Sequence, residues 1–213
     1  MPSTLVHLGL AALIAAALLD DHYDWRTLTV VLVLVALPEL DTFLGLWLAG
    51  AHRTVLHNLW VVVIPGAVLL WDTRYRRRSG IRTRWGGRGV RVGWVSLVAL
   101  LFSHILLDAF FNGVNLLWPV HDAFVDLSGE LVYSTDRGFV QTFLEWDEPA
   151  TSVRGSSGEV HYRTGVDPTP PGRSADGVER TFPIASEGTR FVVMLTGFVV
   201  AGIRLGEVHL RGN

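Results

Sequence analysis

Residues 92–111 read VGWVSLVALLFSHILLDAFF. This run carries no charged side chain before Asp108. At a helical rise of about 1.5 Å per residue it spans about 30 Å, the thickness of a bilayer's hydrocarbon core. It therefore reads as a membrane helix, and it also holds His104 and Asp108. Four residues apart on a helix, the two share one face. An ionisable group in an apolar span is costly unless it is paired or bound to metal. Ser103 and Asn112 lie close enough in the chain to support such a pair. The plainer alternative is a buried His–Asp hydrogen bond that only ties helices together.

Four more apolar stretches flank this one: Leu5–Leu19, Leu28–Leu48, Val55–Trp71 and Phe191–Ile203. The fold class that follows is all-α, a polytopic membrane helical bundle of about five spans. An irregular, part-β extramembrane segment is expected beside it, with Glu130–Tyr133 and Arg180–Ile184 as short strand candidates. The chain divides into a membrane-embedded domain at residues 1–120, an acidic segment at 121–189, and a last helix with its tail at 190–213. Met1–Thr4 has no basic residue, so the first stretch reads as a retained helix rather than a cleaved signal. The second stretch is interrupted at Pro38-Glu39-Leu40-Asp41, where proline should break the helix. Broken helices survive in a membrane only where protein or water satisfies the freed backbone, which makes this break a candidate site.

Composition agrees. Hydrophobic residues make up 49% of the chain and mean hydropathy is +0.35. Net charge is -2, so there is no global basic signature and nucleic acid is not an expected partner. There is no cysteine, which excludes disulfides, thiolate metal sites and a cysteine nucleophile. Every basic side chain other than histidine is arginine. Eight of these, Arg74 to Arg91, crowd the segment between the third and fourth stretches, as expected of a cytoplasmic loop. His121–Glu187 carries 12 acidic against 5 basic residues, a net of -7, and reads as a solvated face suited to high salt.

With the arginine loop placed in the cytoplasm, threading the spans puts His7, Asp41, His52, His57, His104 and Asp108 on the opposite, extracytoplasmic side, together with the acidic segment. The expected location is a multi-pass protein of the plasma (inner) membrane. Within His52-Arg53-Thr54-Val55-Leu56-His57-Asn58, His52 is expected just before the third helix and His57 a turn inside it. Arg53 suits an anionic substrate. His121 is close enough to the fourth stretch to join the site, whereas His22, His161 and His209 are not expected in it. Several His and Asp residues at one level match what zinc, or another first-row metal such as manganese or iron, takes when no thiolate is present.

The ordered set is familiar. His7, Leu37-Pro38-Glu39-Leu40-Asp41, His52 to Asn58, His104-Ile-Leu-Leu-Asp108 and Leu117-Trp118-Pro119 together resemble the YdjM-like family of LexA-regulated, inner-membrane-bound metal-dependent hydrolases. Glu39, Thr54 and Asn58 stand where that family commonly has an acid, a glycine and a serine. The family is in turn distantly similar to zinc-dependent phospholipase C and P1-type nucleases. By that analogy His7, Asp41, His52, His104 and Asp108 are metal ligands for one or two ions, and Asp108 is able to bridge. The soluble enzymes also ligate metal through an N-terminal Trp, whereas this chain begins Met-Pro.

The expected function is hydrolysis of a phosphoester, a lipid or lipid-linked headgroup, through metal-activated water. Asp41 is the expected base, Arg53 neutralises the phosphate and His57 protonates the leaving oxygen. Membrane lipids are the expected partners. A non-catalytic membrane subunit with a structural His/Asp network is the competing class. A transporter fits less well, because the opposite halves of the spans look apolar.

Overall fold

A computed structural model describes residues 3–47, 50–111, 113–143, 153–160, 162 and 182–212. Asn112, His161, Leu48, the first residues of the Arg180–Ile184 strand candidate and much of the acidic segment lie outside the described residues. The chain forms two compact units, each drawn from separated stretches. A helical unit takes Pro2–Leu37, Leu59–Leu107 and Ile184–Asn213, and a second unit takes Pro38–Asn58 and Asp108–Pro183.

In the helical unit, α1 (Thr4–Leu18) packs against α2 (Trp25–Ala36), α5 (Gly80–Leu100) and α7 (Gly188–Gly212), and α4 (Trp60–Arg74) packs against α5. Local chemistry sets the helix starts. Ser3 caps α1. Asp24 and Thr27 form a reciprocal capping box on α2, with Thr27 N–H donating to Asp24 at 2.9 Å. Ser79 caps α5. The core is made of small side chains: Ala11, Ala12, Ala15, Val31, Val35 and Ala99 are fully buried. Small residues let backbones approach closely, the usual means of helix packing in lipid. The tightest contact is α1 on α7, where a Cβ built on Gly197 would lie 1.8 Å from the Gly9 carbonyl oxygen. Tyr23, in the connection between α1 and α2, ties that turn to α7 by donating its hydroxyl to Ala201 O at 2.9 Å.

Three helical runs are long and apolar enough to cross a membrane: Trp25–Leu44, Gly80–Phe111 and Gly188–Arg211. The last is only 17% buried in its most apolar window, with Phe191, Val192, Leu195, Val199 and Ile203 turned outward. In water that surface would be an aggregation liability, whereas in a bilayer it meets lipid tails. The remaining two of the five expected stretches, α1 and α4, are helices of 15 residues each. The α4 helix starts at Trp60 rather than near Val55 because residues 51–59 are irregular backbone.

The second unit is built mostly of turns. As Pro38 requires, α2 ends at Ala36 and gives way to a 3-10 turn, Leu37–Leu40, and then to α3 (Asp41–Leu44). Beyond α6 (Leu107–Phe111), Val114 bridges Val125 and Val125 bridges Val153, both antiparallel. The hairpin β1 (Leu131–Ser134) and β2 (Gly138–Gln141) pairs Leu131 with Gln141 and confirms the first strand candidate. Asp122 pins this unit together. It accepts from Asn115 Nδ2 at 2.6 Å, Ser157 Oγ at 2.7 Å and Ser157 N at 2.9 Å. Ser157 in turn abuts Gly50, whose φ of +73° and lack of a Cβ permit an approach no other residue could make.

Two expectations follow. Gly197→Leu should separate α1 from α7 and lower stability by about 1–3 kcal/mol, read as a lower thermal midpoint in detergent. Gly202→Leu, on the same helix with nothing within 4 Å of its Cβ position, should leave the midpoint nearly unchanged. The Ser157 hydroxyl and the other donors hold the Asp122 carboxyl below its ordinary value. A carboxyl depressed by folding adds stability above its unfolded pKa and loses it as pH falls through the lower folded value. Amide exchange at Ser157 should thus be slow near neutral pH, lose protection only below the usual carboxylate range, and be fast at neutral pH in Asp122→Ala.

Candidate metal site

The break at Pro38 delivers Asp41 to the start of α3, where it is completely buried. A buried carboxylate requires compensating donors. Here they come from residues 51–59, which curl instead of continuing as helix. His52 Nδ1 lies 2.8 Å from Asp41 Oδ1, His57 Nδ1 lies 2.7 Å from Oδ2, and Leu56 N–H donates to Oδ2 at 3.3 Å. On a helix, residues five apart cannot share a face, so helical backbone could not bring both imidazoles to one carboxylate. The irregular backbone does so, and for that reason His57 precedes the third helix instead of lying a turn inside it.

Proton positions follow from what a carboxylate can do. It only accepts, so each Nδ1 carries a hydrogen, and Nε2 is the atom of each ring left to meet other groups. Each Nε2 is thereby an atom that could meet a metal ion, as in carboxylate–histidine arrangements. His52 Nε2 is buried and makes no hydrogen bond among the described residues. His57 Nε2 faces Asp108 Oδ2 at 3.5 Å. Two ligand atoms at about 2.0–2.2 Å from one tetrahedral ion stand about 3.4 Å apart, so this ion-pair spacing is also compatible with a shared cation. Asp41, His52 and His57 also form one of the groups whose ligand atoms lie within 4.8 Å of one another.

Arg53 sits between the two histidines in sequence and is 1% exposed. Its NH2 group donates to Asp108 Oδ1 at 2.7 Å and NH1 donates to Gly113 O at 3.2 Å. Its φ of +64° is left-handed, a conformation costing a non-glycine residue about 1–2 kcal/mol. The Asn115 N–H donates to Arg53 O at 3.0 Å and holds that geometry. The guanidinium lies 4.9 Å from the Tyr162 ring centroid, a cation–π contact. The two buried carboxylates, Asp41 and Asp108, are faced by the Arg53 guanidinium and by His57, whose ring lies against both of them.

The helical unit holds the other two predicted ligands. His7 Nδ1 is 2.6 Å from the Ser103 carbonyl oxygen, which can only accept, so its Nε2 is likewise the atom left to meet other groups. The His7 and His104 rings stack with centroids 4.1 Å apart. His104 lies in a π-helical turn, Leu101–Leu106, a departure from α geometry that recurs at functional sites. Ser103 supports His7 through its backbone carbonyl, since its hydroxyl donates to Ala99 O.

Asp41, His52, Arg53, His57 and Asp108 are thus brought together in one unit, and His7 and His104 are brought together in the other. His121 is exposed, unlike these buried residues, and does not join the group. Glu39 is half-buried, and Asp41 is the acid turned onto the histidines. Sequence reasoning missed Thr42, whose hydroxyl lies 3.0 Å from His52 Nδ1, and also Asn115 and Tyr162. A hydroxyl directly after Asp41 was the only signal available, since the other two lie more than fifty residues from the motif they support.

Comparison with curated proteins and with solved structures returns no match. The family model described as YdjM inner membrane protein matches residues 1–158, which include every residue of both groups. A match over that much of the chain, which also has apolar helices and buried His/Asp groups compatible with metal binding, shows that this protein belongs to the YdjM inner membrane protein family.

Proposed function

We propose that this chain is a membrane-embedded, metal-dependent hydrolase of phosphoesters, acting on lipid or lipid-linked headgroups. The observation that carries the reading is the pair of prepared imidazoles: both Nδ1 hydrogens are committed to Asp41, His52 Nε2 is buried without a hydrogen-bond partner, and His57 Nε2 opposes Asp108 at ligand spacing. His52, His57 and Asp108 would hold the ion in this unit. His7 and His104 are the remaining candidate ligands, with His7 tautomerically prepared in the same way. Zinc suits an all-nitrogen-and-oxygen donor set, and manganese or iron would also fit. A divalent ion there would supply Lewis acidity and bring the pKa of a water molecule toward neutrality.

The protein's own groups have distinct tasks in this reading. Asp41 holds both Nδ1 atoms, so its role in this reading is to orient the two rings rather than to act as the base. Arg53 offers a buried Nε–H that makes no hydrogen bond among the described residues, a donor for an anionic phosphoryl oxygen. In the net reaction water adds to phosphorus, the ester P–O bond breaks, and the departing oxygen takes a proton. With both nitrogens of His57 engaged in this arrangement, that proton would come from water. The membrane setting favours a substrate that resides in the bilayer.

Elemental analysis of detergent-purified protein tests this directly. We expect about one or two divalent ions per chain, absent in His52→Ala/His57→Ala. Asp41→Asn should weaken metal binding about 10–100-fold. A metal-loaded sample should release headgroup phosphate from phospholipid or lipid-linked phosphoesters, and Arg53→Lys should cost about 100-fold or more in kcat/KM. A wild-type protein that takes up no metal after reloading, yet is destabilised by the same substitutions, would instead identify the cluster as a structural network in a non-catalytic subunit.

A further inference from the structure

The helical run Gly80–Phe111 has 32 residues, about 48 Å of helix. The hydrocarbon core accommodates about 30 Å, so about twelve residues must lie outside it. The apolar window begins at Val92, which assigns the excess to Gly80–Arg91. This leading segment and the turn before it contain Arg74, Arg76, Arg77, Arg78, Arg82, Arg84, Arg88 and Arg91, all of them exposed. Among them stand the exposed aromatics Trp71, Tyr75 and Trp85. No Asp or Glu occurs from Thr73 to Leu107.

The acids that do approach this face are already engaged or few. Asp72 is buried and accepts from Ser79 Oγ at 2.6 Å, Arg76 at 2.7 Å, Gly80 N at 2.9 Å and Ile81 N at 3.1 Å. That carboxylate serves as the staple of the α4–α5 turn. Asp24 pairs with Arg88 at 2.5 Å, while Arg91 donates to Leu18 O at 2.6 Å, beside the exposed Asp20 and Asp21. Arg77, Arg78, Arg82 and Arg84 make no ion pair with a carboxylate among the described residues, and Arg84 stacks over Trp85 at 5.2 Å. A kink at Gly86, with φ +66° and ψ -158°, turns the segment carrying Arg82 and Arg84 off the axis of the apolar helix.

We propose that Arg77, Arg78, Arg82 and Arg84, with Trp85, form a binding surface for anionic phospholipid headgroups. Guanidinium forks match phosphate oxygens, and indoles settle at the headgroup level of a bilayer. The face is stapled by Asp72 and adjoins the end of a membrane-spanning helix, so the phosphates it meets are those of the lipid surface. This surface is independent of the metal site.

The test is equilibrium binding of a fluorescent phosphatidylglycerol to the full-length protein in neutral detergent, competed by unlabelled lipids. Phosphatidylglycerol should compete at least about tenfold better than phosphatidylcholine, with affinity falling as salt rises. Arg77→Gln/Arg78→Gln/Arg82→Gln/Arg84→Gln should bind at least about 100-fold more weakly while keeping the wild-type thermal midpoint. If that variant does not fold, Arg77→Glu/Arg78→Glu, confined to the turn, should still lose about tenfold or more. Equal competition by phosphatidylcholine, or unchanged binding by a folded variant, would overturn the proposal. Stronger competition by a single-stranded oligonucleotide would also overturn it and reassign the face to nucleic acid.

Discussion

One buried carboxylate organises the second unit. Asp41 accepts from His52 through one oxygen and from His57 and Leu56 through the other, with no exposure to solvent. Such a group is tolerable only while its donors stay in place. The donors lie on a segment that could not reach it as a helix, so the carboxylate and the irregular backbone require one another. Pro38 contributes by ending α2 and turning the chain through a 3-10 segment. The same arrangement places both Nδ1 atoms on Asp41 and leaves two Nε2 atoms that could meet a metal ion.

Arg53 extends this logic to the other acid. It divides the Asp108 carboxylate, taking Oδ1 and leaving Oδ2 toward His57. To do so it adopts a left-handed backbone, and Asn115, itself linked to Asp122 and through it to Ser157, holds that strain in place. A residue held in an unfavourable conformation by several independent bonds is characteristic of functional positions.

The helical unit rests on different physics. Alanine and glycine on α1 and α7 permit backbone contact, and large apolar side chains are left on the outside. This inversion of the pattern of a water-soluble core is the signature of a chain whose solvent is lipid. Arginines confined to one end of the longest helix complete the picture of a protein whose charge is placed by the membrane boundary.

The sequence by itself determined the membrane class, the helix break at Pro38 and the residue types of the site. Each depends on local composition: apolar runs, a proline without an N–H, and ionisable groups too costly to place in an apolar span without a purpose. The first strand, near Leu131, was legible for the same reason. Only the tertiary structure decided how the groups are used. Asp41 meets two Nδ1 atoms at once, and because residues 51–59 curl, His57 stands before its helix and not within it. Thr42, Asn115 and Tyr162 acquire roles through hydrogen bonds and ring contacts that no spacing encodes. The two units are likewise drawn from interleaved stretches, because compactness follows contacts in space, and a carboxylate's choice of donor is settled only when distant segments are brought within 3 Å of it.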